Sequence, residues 1–294
     1  MKIHRICLEI KAPILTPLYA DTIWGQLCWT VAHKNGNSAL QEFLEPFRNG
    51  EPSFLISDGF PAGYLPKPLS LDFSIKDPVE RKEMKKIDYL PSEYFCHAIN
   101  GASFEPYGLE LPIQKKSTTS HNAISRITNT TVEGSLYSLE EAFIPRVDIY
   151  IKVKDEEWKN KLKGLFEDLS KSGYGKKKSI GKGQFCIEDI LDPPFSEVKD
   201  ANAFVTLSSF CPREDDPTEG IYKTFVKYGK LGEEFNFCGN PFKKPLLMVK
   251  TGSVFKTQGQ PKEIYGRIIE KIAPAKAEVV QYAYAFAVPI RING

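Results

Sequence analysis

Apolar and polar residues alternate over residues 2–11 through Ile6, Leu8 and Ile10, the period of a half-buried strand. Pro13 and Pro17 break the pattern. Asp21 then stands where an N-cap belongs, ahead of Ile23, Trp24, Leu27, Cys28 and Val31 at helical spacing. That helix should end near Asn35-Gly36, and a second one, over 38–47, at Asn49-Gly50. Residues 54–57 read as a strand. The stretch 59–68 is too rich in glycine and proline to be either element, and from about 70 to 140 periodicity is weak, as in an insertion. Regularity returns with a strand over 147–153, a helix over 156–171 carrying Trp158, Leu162, Leu165, Phe166 and Leu169, and a strand over 184–190.

Taken in order, these elements give the βαββαβ pattern of a ferredoxin-like unit. Asp192-Pro193-Pro194 marks a linker, so the chain divides into a unit over 1–192, with its insertion at about 60–142, and a second over 193–294. The second offers strand candidates at 204–208, 221–228, 246–250 and 278–292, few helical signals, and a turn at 261–263. The fold class expected is α+β, with two ferredoxin-like domains.

A length of 294 residues suits one large domain or two, and 41% hydrophobic with 26% charged residues describes a folded chain rather than a disordered one. Net charge is only +2, so nucleic-acid binding has to be argued from clustering. The six cysteines, Cys7, Cys28, Cys96, Cys186, Cys211 and Cys238, are scattered, with no C-x-x-C pair and no histidine at ligand spacing. They read as mostly buried, reduced thiols, and neither a structural zinc nor any other cofactor is called for. The N-terminus lacks a signal-peptide core, and the longest apolar stretch, 279–290, is interrupted by Gln281 and Pro289 and too short for a bilayer. The expectation is a cytoplasmic protein without a membrane partner.

Two clusters carry chemistry. The run Gly173-Tyr174-Gly175-Lys176-Lys177-Lys178-Ser179-Ile180-Gly181-Lys182-Gly183 holds four glycines and four lysines without an acid, which lets the backbone approach a phosphate among fixed positive charges. It lies between a helix and a strand, the reverse of a Walker loop, and Gly183 stands where the magnesium-binding hydroxyl belongs. A solvated lysine-rich turn fits the same residues. The second cluster, 113–132, is also acid-free and holds Lys115, Lys116, His121 and Arg126 among hydroxyls and amides that include Asn122 and Ser125. Such groups bond phosphates and sugars, and Ile124 or Ile127 would wedge against a base; a polar loop is the plainer reading.

Several phrases together resemble a known family. They are Thr16-Pro17-Leu18-Tyr19-Ala20-Asp21 with Trp24-Gly25, Ser57-Asp58-Gly59-Phe60-Pro61 leading to Leu65-Pro66-Lys67-Pro68, His121-Asn122 with Ser125-Arg126, Gly134-Ser135-Leu136-Tyr137, the Gly/Lys run, and Thr251-Gly252-Ser253-Val254-Phe255. The series, spanning about 8–292, resembles the fourth subunit of type III-A CRISPR effector (Csm) complexes, of the RAMP superfamily. The resemblance implies two ferredoxin-like RAMP domains with a β-hairpin thumb inserted in the first. It implies a cap on the end of the complex that holds the 5′ handle of the guide RNA, between the large polymerase-cyclase subunit and the backbone RAMP subunit. It further implies that Gly173, Tyr174, Gly175, Lys176, Lys177, Lys178, Ser179, Gly181 and Lys182 clamp the handle, that His121, Asn122, Ser125 and Arg126 belong to the thumb, and that Lys250, Gly252 and Ser253 form a second glycine loop. Three consecutive lysines depart from the superfamily's commonest loop.

Other members of that superfamily cleave guide precursors with a histidine base, so His33, beside Trp29, and His121, near Arg126, are the candidates for a metal-independent endoribonuclease. No recognisable pair of catalytic groups accompanies either, and a non-catalytic subunit is expected. The aromatic stretches Tyr64-Leu65-Pro66 and Tyr94-Phe95 suit either protein contacts or ordinary half-buried loops.

Overall fold

The computed structural model describes residues 1–71, 82, 84–102 and 109–292. The first sheet is built from β1 (Lys2–Ile10), β2 (Phe54–Pro61), β7 (Arg146–Val153) and β8 (Phe185–Leu191), in the order β2-β7-β1-β8 with every neighbour antiparallel. Helices α1 (Ala20–Arg48) and α3 (Glu156–Ser172) make the two crossovers, so the connectivity along the chain is βαββαβ. In β1 the buried positions alternate as the sequence requires, with Ile6, Leu8 and Ile10 inside and Lys2 outside.

The two helices expected over 21–47 are the arms of α1, which breaks at Gly36, where φ is 83° and ψ 177°. Asp21 is not the cap. The carboxylate that receives the first free N–H belongs to Asp58, whose Oδ1 accepts from Ala20 N–H at 2.8 Å. β2 also runs beyond residue 57, through a bulge between Ile56 and Gly59. Ser57 Oγ fills the gap by accepting from Tyr150 N–H, and the chain continues through Pro61. The stretch expected to be irregular holds a further strand, β3 (Tyr64–Pro66), paired with β4 (Tyr89–Pro91); α2 (Ser92–Ile99) follows. In this region Leu65 and Phe95 are fully buried, so the bodies of those two aromatic stretches face the core. The parts of the expected insertion at 72–81, 83 and 103–108, and the last two residues of the expected second unit, 293–294, lie outside the described residues. Farther on, β5 (Lys115–His121) and β6 (Tyr137–Phe143) form an antiparallel hairpin.

The second half holds β9 (Ala203–Thr206), β10 (Gly220–Ile221), β11 (Thr224–Lys227), β12 (Leu246–Val249), β13 (Val254–Lys256), β14 (Tyr265–Ile269), β15 (Gln281–Ala285) and β16 (Ala287–Ile290). Its sheet runs β10-β13-β9-β16, the same first-to-fourth strand order as the first sheet. The crossovers differ from the expectation. Among the described residues of this half there is no α-helix, only a 3-10 turn at Glu233–Phe237, and the stretch between β13 and β16 is occupied by the β14–β15 hairpin. The helical role falls to α1, which packs against both halves. Trp24 lies 5.5 Å from Tyr282, centroid to centroid, Phe47 lies 6.4 Å from Tyr284, and Tyr284 Oη donates to Phe47 O at 2.6 Å. One apolar core therefore contains Ile6, Trp24, Phe54 and Tyr150 together with Val205, Tyr282 and Val288.

Lys152 is an exception within this core. Its ammonium is buried, donates to Ala287 O at 2.6 Å and lies over the Phe286 ring, and burial pushes its pKa down to about 8. The unfolded chain holds that proton more tightly than the folded one, so a stabilising gain should appear as pH rises above 8. Urea unfolding should show about 2 kcal/mol more stability at pH 9.5 than at pH 7 from this group, and Lys152→Met should lose that rise. An equal rise in both proteins would remove the assignment.

The thiols are all unpaired, but only Cys211 is buried; the other five are half-buried. Among the described residues no helix is long and apolar enough to cross a membrane.

Candidate nucleic-acid interface

The Gly/Lys loop begins where α3 stops. Asp155 caps the start of that helix by accepting from Trp158 N–H, and Glu156 and Glu157 suit its positive end. Gly173 ends it with φ 80°, its N–H returning to Leu169 O. From there the loop is pinned to the segment between β1 and α1. Tyr174 Oη donates to Pro17 O at 2.7 Å, Lys176 N–H to Thr16 Oγ1 at 3.0 Å and Gly183 N–H to Pro13 O at 2.9 Å. A Cβ at Gly175 would stand 2.6 Å from the Thr16 side chain, and one at Gly183 only 2.0 Å from Tyr174 O. Both glycines also have positive φ.

The structure sorts the lysines that the sequence left equivalent. Lys178 reaches Glu233 at 2.5 Å, and Lys182 is ion-paired with the buried Glu141 of β6, whose other oxygen accepts from Ser117 Oγ. Both are committed inside the chain. Lys176 and Lys177 are exposed, as are Ser179 and Gly181. Among the described residues the ammonium of Lys176 has no carboxylate partner. Lys177 donates to Tyr137 Oη at 3.1 Å, and Tyr137 in turn stacks on His121 at 5.4 Å between centroids. The two acid-free clusters thus meet at the loop end of the β5–β6 ladder, where His121 pairs with Tyr137.

Tyr174 lies beneath the loop rather than on its surface. Its ring is 2% exposed and anchors the loop from beneath, and burial raises its pKa well above the ordinary phenol value.

The hairpin's far end is shaped by its own polar residues. Ser125 Oγ accepts from the N–H groups of Ile127 and Thr128, and Asn122 Oδ1 accepts from Ser135 Oγ. These two expected contact residues therefore build the turn, while Arg126 stands exposed on it. Ile124 and Ile127 are 67% and 95% exposed, so two apolar side chains are held out in water.

The second glycine loop is not brought to the first. Gly252, with φ 85°, lies so close to Lys67 O that a Cβ would stand 2.8 Å away. Ser253 is fully buried and donates to Lys250 O, so it is a structural residue, while Lys250 is exposed. Thr251 Oγ1 donates at 2.5 Å to Asp58 Oδ2, and burial lifts the Asp58 carboxyl to about 6. Segment 13–21 runs between the two loops, with Thr16 under one and Ala20 on the Asp58 carboxylate at the other.

The catalytic candidates lie in different neighbourhoods. His33 faces Glu234 at 3.4 Å and Trp29 on α1, whereas His121 bonds Thr119 and stacks on Tyr137. No group of three or more metal-ligating side chains occurs among the described residues. A cavity of about 1180 Å³ lined by Asp215, Asp216 and Glu219 alongside Lys256, Lys262 and Arg291 shares no lining residue with either glycine loop.

Sequence reasoning missed Glu141, and it met Thr16 and Tyr137 only within family-like phrases. A signal for Tyr137 exists in the pairing register, in which it closes the last pair of the hairpin opposite His121.

Comparison with known proteins places this arrangement. The family model described as "RAMP superfamily" matches residues 15–186, more than half of the chain, and the chain belongs to that superfamily. Within it the chain is Csm4-like. A Thermococcus onnurineus protein named "CRISPR system Cms protein Csm4" is 27% identical over 233 residues, covering 72% of this chain and 75% of that protein. A Methanocaldococcus jannaschii protein of the same name is 27% identical over 207 residues, and the match spans 63% of this chain and 51% of that longer protein. The fold is similar to a chain in the crystal structure of a Csm1-Csm4 cassette in complex with pppApA, with TM-score 0.63, 20% identity and 99% of each chain covered. It is equally similar to one in a Csm3-Csm4 subcomplex of the type III-A CRISPR-Cas interference complex, with TM-score 0.64, 16% identity, and 99% of this chain and 100% of that one covered.

Proposed function

We propose that this chain is a non-catalytic guide-RNA-binding subunit of a type III-A CRISPR effector complex, holding the 5′ handle at the end of the assembly. The observation that carries the reading is the Lys177–Tyr137–His121 contact, which joins two acid-free basic clusters into one surface. On this reading residues 1–192 and 193–294 are two ferredoxin-like RAMP units and the β5–β6 hairpin is the thumb. Lys176 and Lys177 take handle phosphates, the amides of the pinned loop add hydrogen bonds, and Ile124 or Ile127 at the hairpin tip presses against a base. The partners are the large polymerase-cyclase subunit and the backbone RAMP subunit, which is supported by the assemblies in which similar chains were crystallised.

The test is binding of labelled guide RNA with and without its handle, in the presence and absence of the large subunit. Handle-dependent binding strengthened by that subunit is expected. Lys176→Gln with Lys177→Gln should weaken it and reduce the salt slope by about 1.4, from roughly 0.7 per phosphate contact on a single strand. The RNA should be recovered intact; metal-independent cleavage abolished by His33→Ala or His121→Ala would favour the endoribonuclease reading instead. Binding indifferent to the handle and to both lysines would overturn the proposal.

A further inference from the structure

Between Gly220 and Lys262 the sequence contains eight lysines and only two acids, Glu233 and Glu234. The fold turns both acids aside, Glu233 onto Lys178 and Glu234 onto His33. What remains is an antiparallel ribbon in which β11 pairs with β12 and Lys230 bridges to Phe242. Four lysines of this stretch have partners within the chain: Lys227 on Asp21, Lys243 on Gln281, Lys256 on Glu219 and Lys262 on Asp215. Lys223, Lys230, Lys244 and Lys250 are exposed and have no carboxylate partner among the described residues.

Aromatic rings stand between them. Along the ribbon Phe225 and Lys227 turn inward while Val226, Tyr228 and Lys230 turn outward, the period of two expected of a strand. Tyr228 is 77% exposed and Phe242 61%, with the Lys230 ammonium over the Phe242 ring. Val226 and its cross-strand partner Leu247 lie exposed beside them. Tyr222 stacks on Phe255 by one face and stays 47% exposed.

We infer that this ribbon is a second single-stranded RNA platform, in which Tyr228 and Phe242 stack on bases while Lys223, Lys230, Lys244 and Lys250 take the phosphates between them. Unpaired lysines interleaved with exposed rings suit a polyanion carrying flat bases better than an apolar protein surface, which would leave four ammonium groups to desolvate. The 3-10 turn that joins β11 to β12 touches the Gly/Lys loop through the Lys178–Glu233 pair, so the two proposed RNA contacts are neighbours. The inference rests on the proposed RNA-binding function for which RNA is carried; the ribbon's affinity for a single strand stands on its own residues.

The test uses the full chain and a fluorescein-labelled oligouridylate, followed by fluorescence anisotropy over a range of salt. Replacing Lys223, Lys230, Lys244 and Lys250 by Gln should reduce the salt slope by roughly 3, at about 0.7 per contact. Tyr228→Ala with Phe242→Ala should weaken binding at least about fivefold per ring with the slope unchanged. All six side chains are exposed, and a thermal melt confirms that each variant folds. Lys176→Gln with Lys177→Gln is run in parallel: loss of handle binding in that variant reports on the loop, and oligouridylate binding in the ribbon variants reports on the ribbon. Unchanged affinity and slope in both ribbon variants overturn the inference. So does a loss of assembly with the large or backbone subunit without any change in oligouridylate binding, which would make the ribbon a protein-docking face.

Discussion

Gly183→Ala should cost at least about 4 kcal/mol, a large share of the usual 5–15 kcal/mol that holds a domain folded. The added Cβ would stand 2.0 Å from Tyr174 O, and that carbonyl belongs to backbone that is itself tied down, because Tyr174 N–H donates to Gly183 O and its hydroxyl to Pro17 O. No side-chain rotation relieves the clash. The φ of 66° adds about 1 kcal/mol for any residue with a Cβ. Gly181→Ala is the matched control. Its φ is 85° but nothing lies within 4 Å of the new atom, so it should pay the backbone term alone. Thermal unfolding should then fall by roughly 10 °C or more for Gly183→Ala and by a few degrees for Gly181→Ala. Equal shifts would remove the close approach as the reason for the glycine.

Asp21→Ala should destabilise the chain by about 3–5 kcal/mol, the usual cost of leaving one half of a buried pair alone. Asp21 is buried in the first turn of α1, where Oδ1 meets Lys227 at 2.5 Å and Oδ2 accepts from the Gln281 amide. Gln281 also receives Lys243 at 2.7 Å, so one carboxylate organises two cationic side chains of the second half. Its removal leaves Lys227 facing the Tyr19 ring without its ion-pair partner. Lys227→Met placed on top of Asp21→Ala should recover part of the loss in urea unfolding. Strict additivity of the two substitutions would show that the pair is not coupled.

The first sheet was legible through the elements that bury one face, β1 and α3, while β2 and β7, buried at nearly every position, stood out as apolar runs between them. The alternation of β1 and the helical spacing of α3 survive into the structure with ends displaced by a residue or two. The β5–β6 hairpin was not legible as strands, because Lys115, Lys116, Ser117, Thr118, Thr119 and Ser120 place polar side chains on both faces and leave no hydrophobic period to read. In the second half β9 and β15 overlap the expected strand stretches 204–208 and 278–292, but the latter is buried nearly throughout, so no hydrophobic period marks where β15 ends and β16 begins. The site divides in the same way. Its glycines and lysines could be read from local composition, but which lysines are free is decided by Glu141 and Glu233, which lie 41 and 55 residues from their partners. The burial of Ser253 and Tyr174 was not legible for the same reason, since it comes from distant segments.

Five residues of the Gly/Lys loop, Gly173, Gly175, Lys177, Gly181 and Gly183, hold positive φ before any ligand arrives, and Pro13, Thr16 and Pro17 fasten them there. A loop already in this shape loses little conformational freedom on binding a strand. Encounter should therefore be governed by diffusion and charge rather than by a slow folding of the loop, and differences in affinity among RNAs should reside in how quickly they leave.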